Sequence, residues 1–228
     1  GKPDLSGLPE LELQGEAGEE YILLDGTRYD LIPFEVIGSG NSGRWDLRAQ
    51  SGRRVAVLGQ DTIFTVQGDP EEIFLYNVPE TFRFGGVYRR RFLREDHALA
   101  LPDSAAFDRG TIRTYAGGGL FGKKSVTTCE FTDETLLAAI FGAWDGSAET
   151  PPVPEGLDRD QRESRALELW SKEYPWLCFH LSCTCYPGGV MLFTGRDGGT
   201  VCLPAEVTGQ LDWEEPGLWQ RLTGGVTS

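Results

Sequence analysis

Proton transfer near neutral pH is histidine's work, and this chain has only two, His97 and His180. His180 lies in the run Leu177-Cys178-Phe179-His180-Leu181-Ser182-Cys183-Thr184-Cys185-Tyr186. On a strand, Cys178, His180, Ser182 and Tyr186 share one face. That face offers a base with a thiol or a hydroxyl beside it, the elements of nucleophilic catalysis. Positions two apart on a strand are about 7 Å from one another, too far for direct proton transfer, so catalysis needs His97 or an acid from elsewhere in the fold. A polar sheet face covered by a helix accounts for the same residues and is the favoured expectation.

The other chemical candidates are weaker. Arg89, Arg90, Arg91 and Arg94 form the one basic cluster. A strand sends Arg89 and Arg91 one way and Arg90 the other, so an anion contact falls to Arg89 and Arg91, with Glu95 and Asp96 beside them. Cys129, Cys178, Cys183, Cys185 and Cys202 are odd in number and lack paired C-x-x-C spacing, which speaks against a disulfide scaffold and a zinc site. Buried free thiols are expected. Gly117-Gly118-Gly119-Leu120-Phe121-Gly122-Lys123-Lys124 nearly spells a phosphate-binding loop, but Lys124 stands where Ser or Thr must hold magnesium, and a β-branched run follows instead of a helix. Gly38-Ser39-Gly40-Asn41-Ser42-Gly43 matches a dinucleotide fingerprint, yet residues 44–50 are too few for the crossover helix before the next turn. No calcium loop or glycosidase pair stands out among the carboxylates. No cofactor, metal or catalytic residue is therefore assigned.

A net charge of −14 repels phosphate backbones and disfavours nucleic acid as a partner. No run of about 18 or more apolar residues is present, so no transmembrane helix is expected. The opening, from Gly1-Lys2-Pro3-Asp4 through Gly18-Glu19-Glu20, reads as a flexible linker, and an upstream targeting or lipid-anchoring segment is expected before it.

These residues must be positioned by a strand-rich chain. Short apolar runs recur from Tyr21 to Tyr76, split by turn signals such as Asp25-Gly26, Ser51-Gly52 and Gly68-Asp69-Pro70. The expected class is α+β and mostly antiparallel. The N-terminal half is a small β-barrel or sandwich, and the C-terminal half packs two helices on an antiparallel meander. The division is a linker over 1–19, a β-rich subdomain over 20–107 and an α+β subdomain over 108–228. Thr132 can cap the first helix, with Asp133 and Glu134 in its first turn and Leu136, Leu137, Ile140 and Phe141 on its apolar face. The second is placed at Leu157 to Tyr174. Tight turns at Pro187-Gly188-Gly189 and Asp197-Gly198 then put Leu177, Phe179, Leu181, Cys183, Cys185, Leu192, Val201 and Leu203 on one face, with Cys178 and Cys202 on the other.

The C-terminal half carries a strand ending in Thr128-Cys129-Glu130-Phe131-Thr132-Asp133 and a short helix to Trp144. Then come Tyr174-Pro175-Trp176-Leu177, a hairpin, and Leu203-Pro204-Ala205-Glu206-Val207. This order is similar to that of uncharacterised lipoproteins and secreted proteins of gut Firmicutes, where Tyr-Pro-Gly-Leu and Val-Pro-x-Glu-Leu frame a terminal hairpin. Trp176 replaces the glycine here. The resemblance spans roughly 125–210 and implies an extracytoplasmic, membrane-anchored protein without assigning an activity. The favoured expectation is a non-enzymatic binding or envelope accessory module for an unidentified protein or small ligand. The alternatives are a hydrolase whose site assembles only in the fold, around His180 and Ser182, and a cytoplasmic immunity-type interaction protein.

Overall fold

The computed structural model describes residues 7–38, 42–79, 89–116 and 124–211. The chain divides into two compact units, residues 1–39 with 44–101, and residues 40–43 with 102–228. The division falls between Leu101 and Pro102, a few residues before the 107/108 boundary expected from sequence.

The first unit contains β1 (Glu10–Leu11), β2 (Tyr21–Leu24), β3 (Thr27–Leu31), β4 (Arg44–Leu47), β5 (Ser51–Leu58), β6 (Asp61–Val66), β7 (Phe74–Pro79) and β8 (Arg91–Arg94). Its seven-stranded sheet runs β1-β5-β6-β7-β8-β3-β2. The sheet nearly closes into a barrel. β1 pairs in parallel with β5, and Gln14, three residues past β1, exchanges backbone hydrogen bonds of 2.8 and 2.9 Å with Tyr21 of β2. Part of the stretch read as a linker therefore belongs to this sheet. Ile22, Leu24, Tyr29, Val55, Leu58, Ile63, Leu75 and Phe92 form a core cluster within the unit. β2 is apolar throughout, and its burial alternates, with Ile22 and Leu24 turned into the core and Leu23 turned out.

The second unit contains β9 (Phe107–Ala116), β10 (Lys124–Phe131), α1 (Glu134–Asp145), β11 (Glu163–Ser171), β12 (Leu177–Tyr186), β13 (Val190–Thr194), β14 (Thr200–Cys202) and α2 (Ala205–Thr208). Its strands run β10-β9-β11-β12-β13-β14. Asp133, not Thr132, caps α1, its Oδ1 accepting the Leu136 N–H at 2.8 Å. Gly146 closes the helix in the left-handed conformation. Phe141 and Trp144 of α1 pack against Phe179, with ring centroids 5.9 and 4.6 Å away.

Two expectations are corrected. The protein is β-rich rather than α+β, because the segment assigned to a second helix is β11. Ala, Leu and Glu favour helices in isolation, but β11 is a central strand with β9 on one side and β12 on the other. Residues Arg165–Ser171 are buried throughout, and cross-strand packing overrides intrinsic preference. Among the described residues the second α-helix is the four-residue α2, and Arg159–Gln161 form a single 3-10 turn. The second correction concerns β13. The turn at 187–189 pairs Tyr186 with Val190 and Cys185 with Met191. Met191, not Leu192, therefore joins Cys183 and Cys185, and Leu192 shares the opposite face with Cys202.

Candidate functional site

Three strands of the second unit set a grid of side chains on one sheet face. β11 pairs antiparallel with β9 and with β12, so each β11 residue has a fixed neighbour on either side. Ala166 lies between Arg113 and Ser182. Glu168 lies between Thr111 and His180. Trp170 lies between Arg109 and Cys178. Directly paired positions stand about 5 Å apart, close enough for side chains to interact across strands.

The middle row is polar and enclosed. Glu168 is 0% exposed and His180 2%. A buried carboxylate is costly unless paired, and Glu168 is surrounded by partners. Thr111 Oγ1–H donates to Glu168 Oε2 at 3.2 Å, and Arg113 Nη2 lies 3.4 Å from the same oxygen. His180 Nδ1 lies 3.9 Å from Oε1. Trp170 Nε1–H donates to Thr111 Oγ1 at 2.9 Å, fixing that hydroxyl. The Arg109 guanidinium caps the Trp170 ring at 4.5 Å, in the geometry of a cation–π contact.

His180 turns its other nitrogen to Ser182, with Nε2 and Oγ 3.2 Å apart. The strand spacing had suggested that such a pair is too distant. The length of the imidazole brings Nε2 within reach although the Cβ atoms stay far apart. Ser182 is exposed. Carboxylate, imidazole and hydroxyl thus run in file from the buried interior to the surface. This is the order in which a nucleophile, its base and the group orienting that base are arranged for acyl transfer.

Residues 42–43 tie down the outer side of β12. Gly43 N–H donates to the His180 carbonyl at 2.7 Å, and Ser182 N–H donates to Ser42 Oγ at 3.1 Å. Gly43 has φ +73°, and a Cβ there would lie 2.9 Å from Trp144 Nε1. This glycine of the dinucleotide-like match thus permits a left-handed backbone and a close approach. Residues 39–41 of that match lie outside the described residues, as does 117–123 of the phosphate-loop match. Lys124 and the residues after it form β10, not a helix.

The remaining sequence candidates lie apart from this file. Tyr186 is four positions beyond Ser182 at the far end of β12, about 13 Å along the strand. His97 is in the first unit and contacts Asp96 Oδ1 through Nδ1 at 2.8 Å. Arg94 and His97 together hold the Asp96 carboxyl well below its usual range. Arg89 is exposed, but Arg91 is buried. Burial pushes the Arg91 guanidinium down in pKa, and Asp46, 3.9 Å away, opposes that shift. The Arg89–Arg91 anion contact is thus divided between a surface and an interior residue. Cys178 and Cys202 face one side of the second sheet and Cys183 and Cys185 the other, and none of the five is in a disulfide. Among the described residues, no group of three or more His, Cys, Asp or Glu side chains is placed to hold a metal ion. Glu168 falls in the segment whose composition predicts a helix, and a helical period does not place it beside His180. Had residues 163–171 been read at period two, Glu168 would have faced the same side as His180.

No family model, curated protein or solved structure matches the chain.

Proposed function

We propose that the second unit carries a hydrolase site in which Ser182 is the nucleophile, His180 its general base and Glu168 the group that orients and charges the imidazole. The observation that supports this reading is the file itself, with Oγ to Nε2 at 3.2 Å, Nδ1 to Oε1 at 3.9 Å, and burial rising from serine to glutamate. Histidine–carboxylate contacts in resting enzymes commonly tighten when substrate binds.

The chemistry is acyl transfer from an ester to water. Ser182 Oγ attacks the carbonyl carbon while His180 Nε2 takes its proton. The C–O bond to the alcohol breaks, and the imidazolium returns that proton to the leaving oxygen. Water then attacks the acyl-serine, with His180 again accepting a proton and returning it to Oγ. Buried Glu168 stabilises the imidazolium that forms in each half.

The test is hydrolysis of p-nitrophenyl butyrate by the full chain and by its Ser182→Ala variant. The variant should lose about 10³-fold or more of the rate. Equal rates in the two proteins contradict the reading.

A second reading is a binding or envelope accessory module. It is favoured by Arg113 and Thr111, which with His180 surround the Glu168 carboxylate as a structural ion-pair network would. In that case Glu168→Gln lowers stability, and no ester is turned over. The extracytoplasmic, anchored placement implied by the short C-terminal motifs goes with either reading. It is tested by protease accessibility on intact source cells.

A further inference from the structure

Ser42 stands beside the proposed nucleophile with a donor to spare. Its Oγ accepts the Ser182 N–H at 3.1 Å. A hydroxyl has one donor besides its acceptor lone pairs, and among the described residues no group accepts the Ser42 O–H. Ser42 is half-buried and Ser182 exposed, so both border solvent. The following residue fixes the position, since Gly43 N–H donates to the His180 carbonyl at 2.7 Å. Residues 42 and 43 are thus bonded to the strand that carries both the base and the nucleophile.

Attack on an ester turns the carbonyl oxygen into an oxyanion, and acyl transfer gains most from a donor already held where that charge develops. The nucleophile's own backbone N–H can serve in that role. Here that N–H is taken up by Ser42 Oγ.

We propose, resting on the hydrolase reading above, that the Ser42 O–H is the oxyanion donor of this site. Ser182 N and Oγ are joined through Cα and Cβ and lie about 3 Å apart, which puts Ser42 Oγ about 4–6 Å from the nucleophilic oxygen. An oxyanion on the attacked carbon stands about 2 Å from that oxygen, and its donor about 3 Å farther on, so a donor belongs within about 5 Å. The bond from Ser182 N–H also polarises the Ser42 hydroxyl, because hydrogen bonds in a chain strengthen one another. As the Oγ–C bond forms, the carbonyl π pair moves onto oxygen and the Ser42 O–H bonds it. As the C–O bond to the alcohol breaks, the pair returns to the carbonyl, and Ser42 keeps its proton throughout.

The experiment measures kcat and KM for p-nitrophenyl butyrate in the full chain and in three variants, with thermal unfolding of each. Ser42→Ala removes the donor and should lower kcat about 10²-fold with KM within about twofold, because the donor acts on charge present only in the transition state. Ser42→Cys keeps the size, offers only a weak donor and should fall nearly as far, and it carries the test where the alanine variant does not fold. Ser42→Thr keeps the hydroxyl and should retain kcat within about tenfold. Trifluoromethyl propyl ketone, which adds to a serine to give a tetrahedral oxyanion, should inhibit Ser42→Ala at least about tenfold more weakly than wild type. Unchanged kcat in Ser42→Ala and Ser42→Cys, or a loss confined to KM, overturns the assignment. If hydrolysis depends on Ser182 but not on Ser42, the oxyanion donor alone falls. If wild type does not hydrolyse the ester, the hydrolase reading falls and takes this inference with it.

Discussion

Glu168 on β11 stands directly opposite His180 on β12, with Nδ1 of the imidazole 3.9 Å from the carboxylate. The register of two central strands sets this pairing, so the sheet that builds the core also aligns the proposed base with the carboxylate that orients it. Replacing Glu168 with Gln keeps the shape and removes the charge. Arg113 then loses its carboxylate, and unfolding free energy should fall by about 2–4 kcal/mol in denaturant melts. Ester hydrolysis by the protein that remains folded should fall by about 10²-fold or more, since the imidazolium loses its stabilising charge. An unchanged rate per folded molecule would remove Glu168 from the mechanism.

Gly43 should not tolerate a side chain. Alanine there meets Trp144 Nε1 at 2.9 Å and must hold φ +73°. Such a change should cost about 1–3 kcal/mol, measured by thermal or urea unfolding. Because Gly43 N–H bonds the His180 carbonyl, the same variant should also reduce hydrolysis per folded molecule. Full stability in Gly43→Ala would contradict the close packing.

The helix at 134–145 and the run of short strands could be read from the sequence because the spacing of their apolar side chains matches their local structure. The second helix could not. Ala166, Leu167, Glu168 and Leu169 are good helix formers, and only the flanking strands β9 and β12 make them a strand. That one misreading also hid the site, since Glu168 shares a face with His180 only at period two. Ser182 and His180 could be found because both lie on one strand. Arg113 and Thr111 could not, because their proximity depends on the long-range pairing of β9 with β11.

Asp69 should give the first unit a measurable pH dependence. It is buried, and its Oδ2 accepts the Phe74 N–H at 2.8 Å. Burial raises its pKa, with backbone N–H groups of Phe74 and Ile73 opposing. The native state therefore holds this proton more tightly than the unfolded chain. The stability due to protonated Asp69 is full below the unfolded value of about 4 and is lost as pH rises through the raised native value. Asp69→Asn keeps an acceptor for Phe74 and cannot ionise. The stability of wild type relative to this variant should therefore decline as pH increases from about 4, followed by urea melts across pH. A constant difference would contradict the shift.

The thiols should divide by exposure. Cys129 is partly exposed and the other four are buried. Burial pushes Cys185 up to about 12 and Cys183 well above the ordinary thiol range. Native protein treated with iodoacetamide near pH 8 should therefore carry label at Cys129 and little elsewhere, while unfolded protein is labelled at all five. Peptide mass spectrometry reads the outcome. Rapid native labelling of Cys183 or Cys185 would contradict the burial.

The central claim is that His180 activates Ser182. Its most direct test is covalent capture of that hydroxyl with a fluorophosphonate, followed by peptide mass spectrometry. Wild type should form a single adduct on the peptide holding Ser182, with Ser182→Ala forming none and His180→Ala reacting at least about 10²-fold more slowly. No adduct on folded wild-type protein, or labelling of Ser182 that is undiminished in His180→Ala, would contradict it.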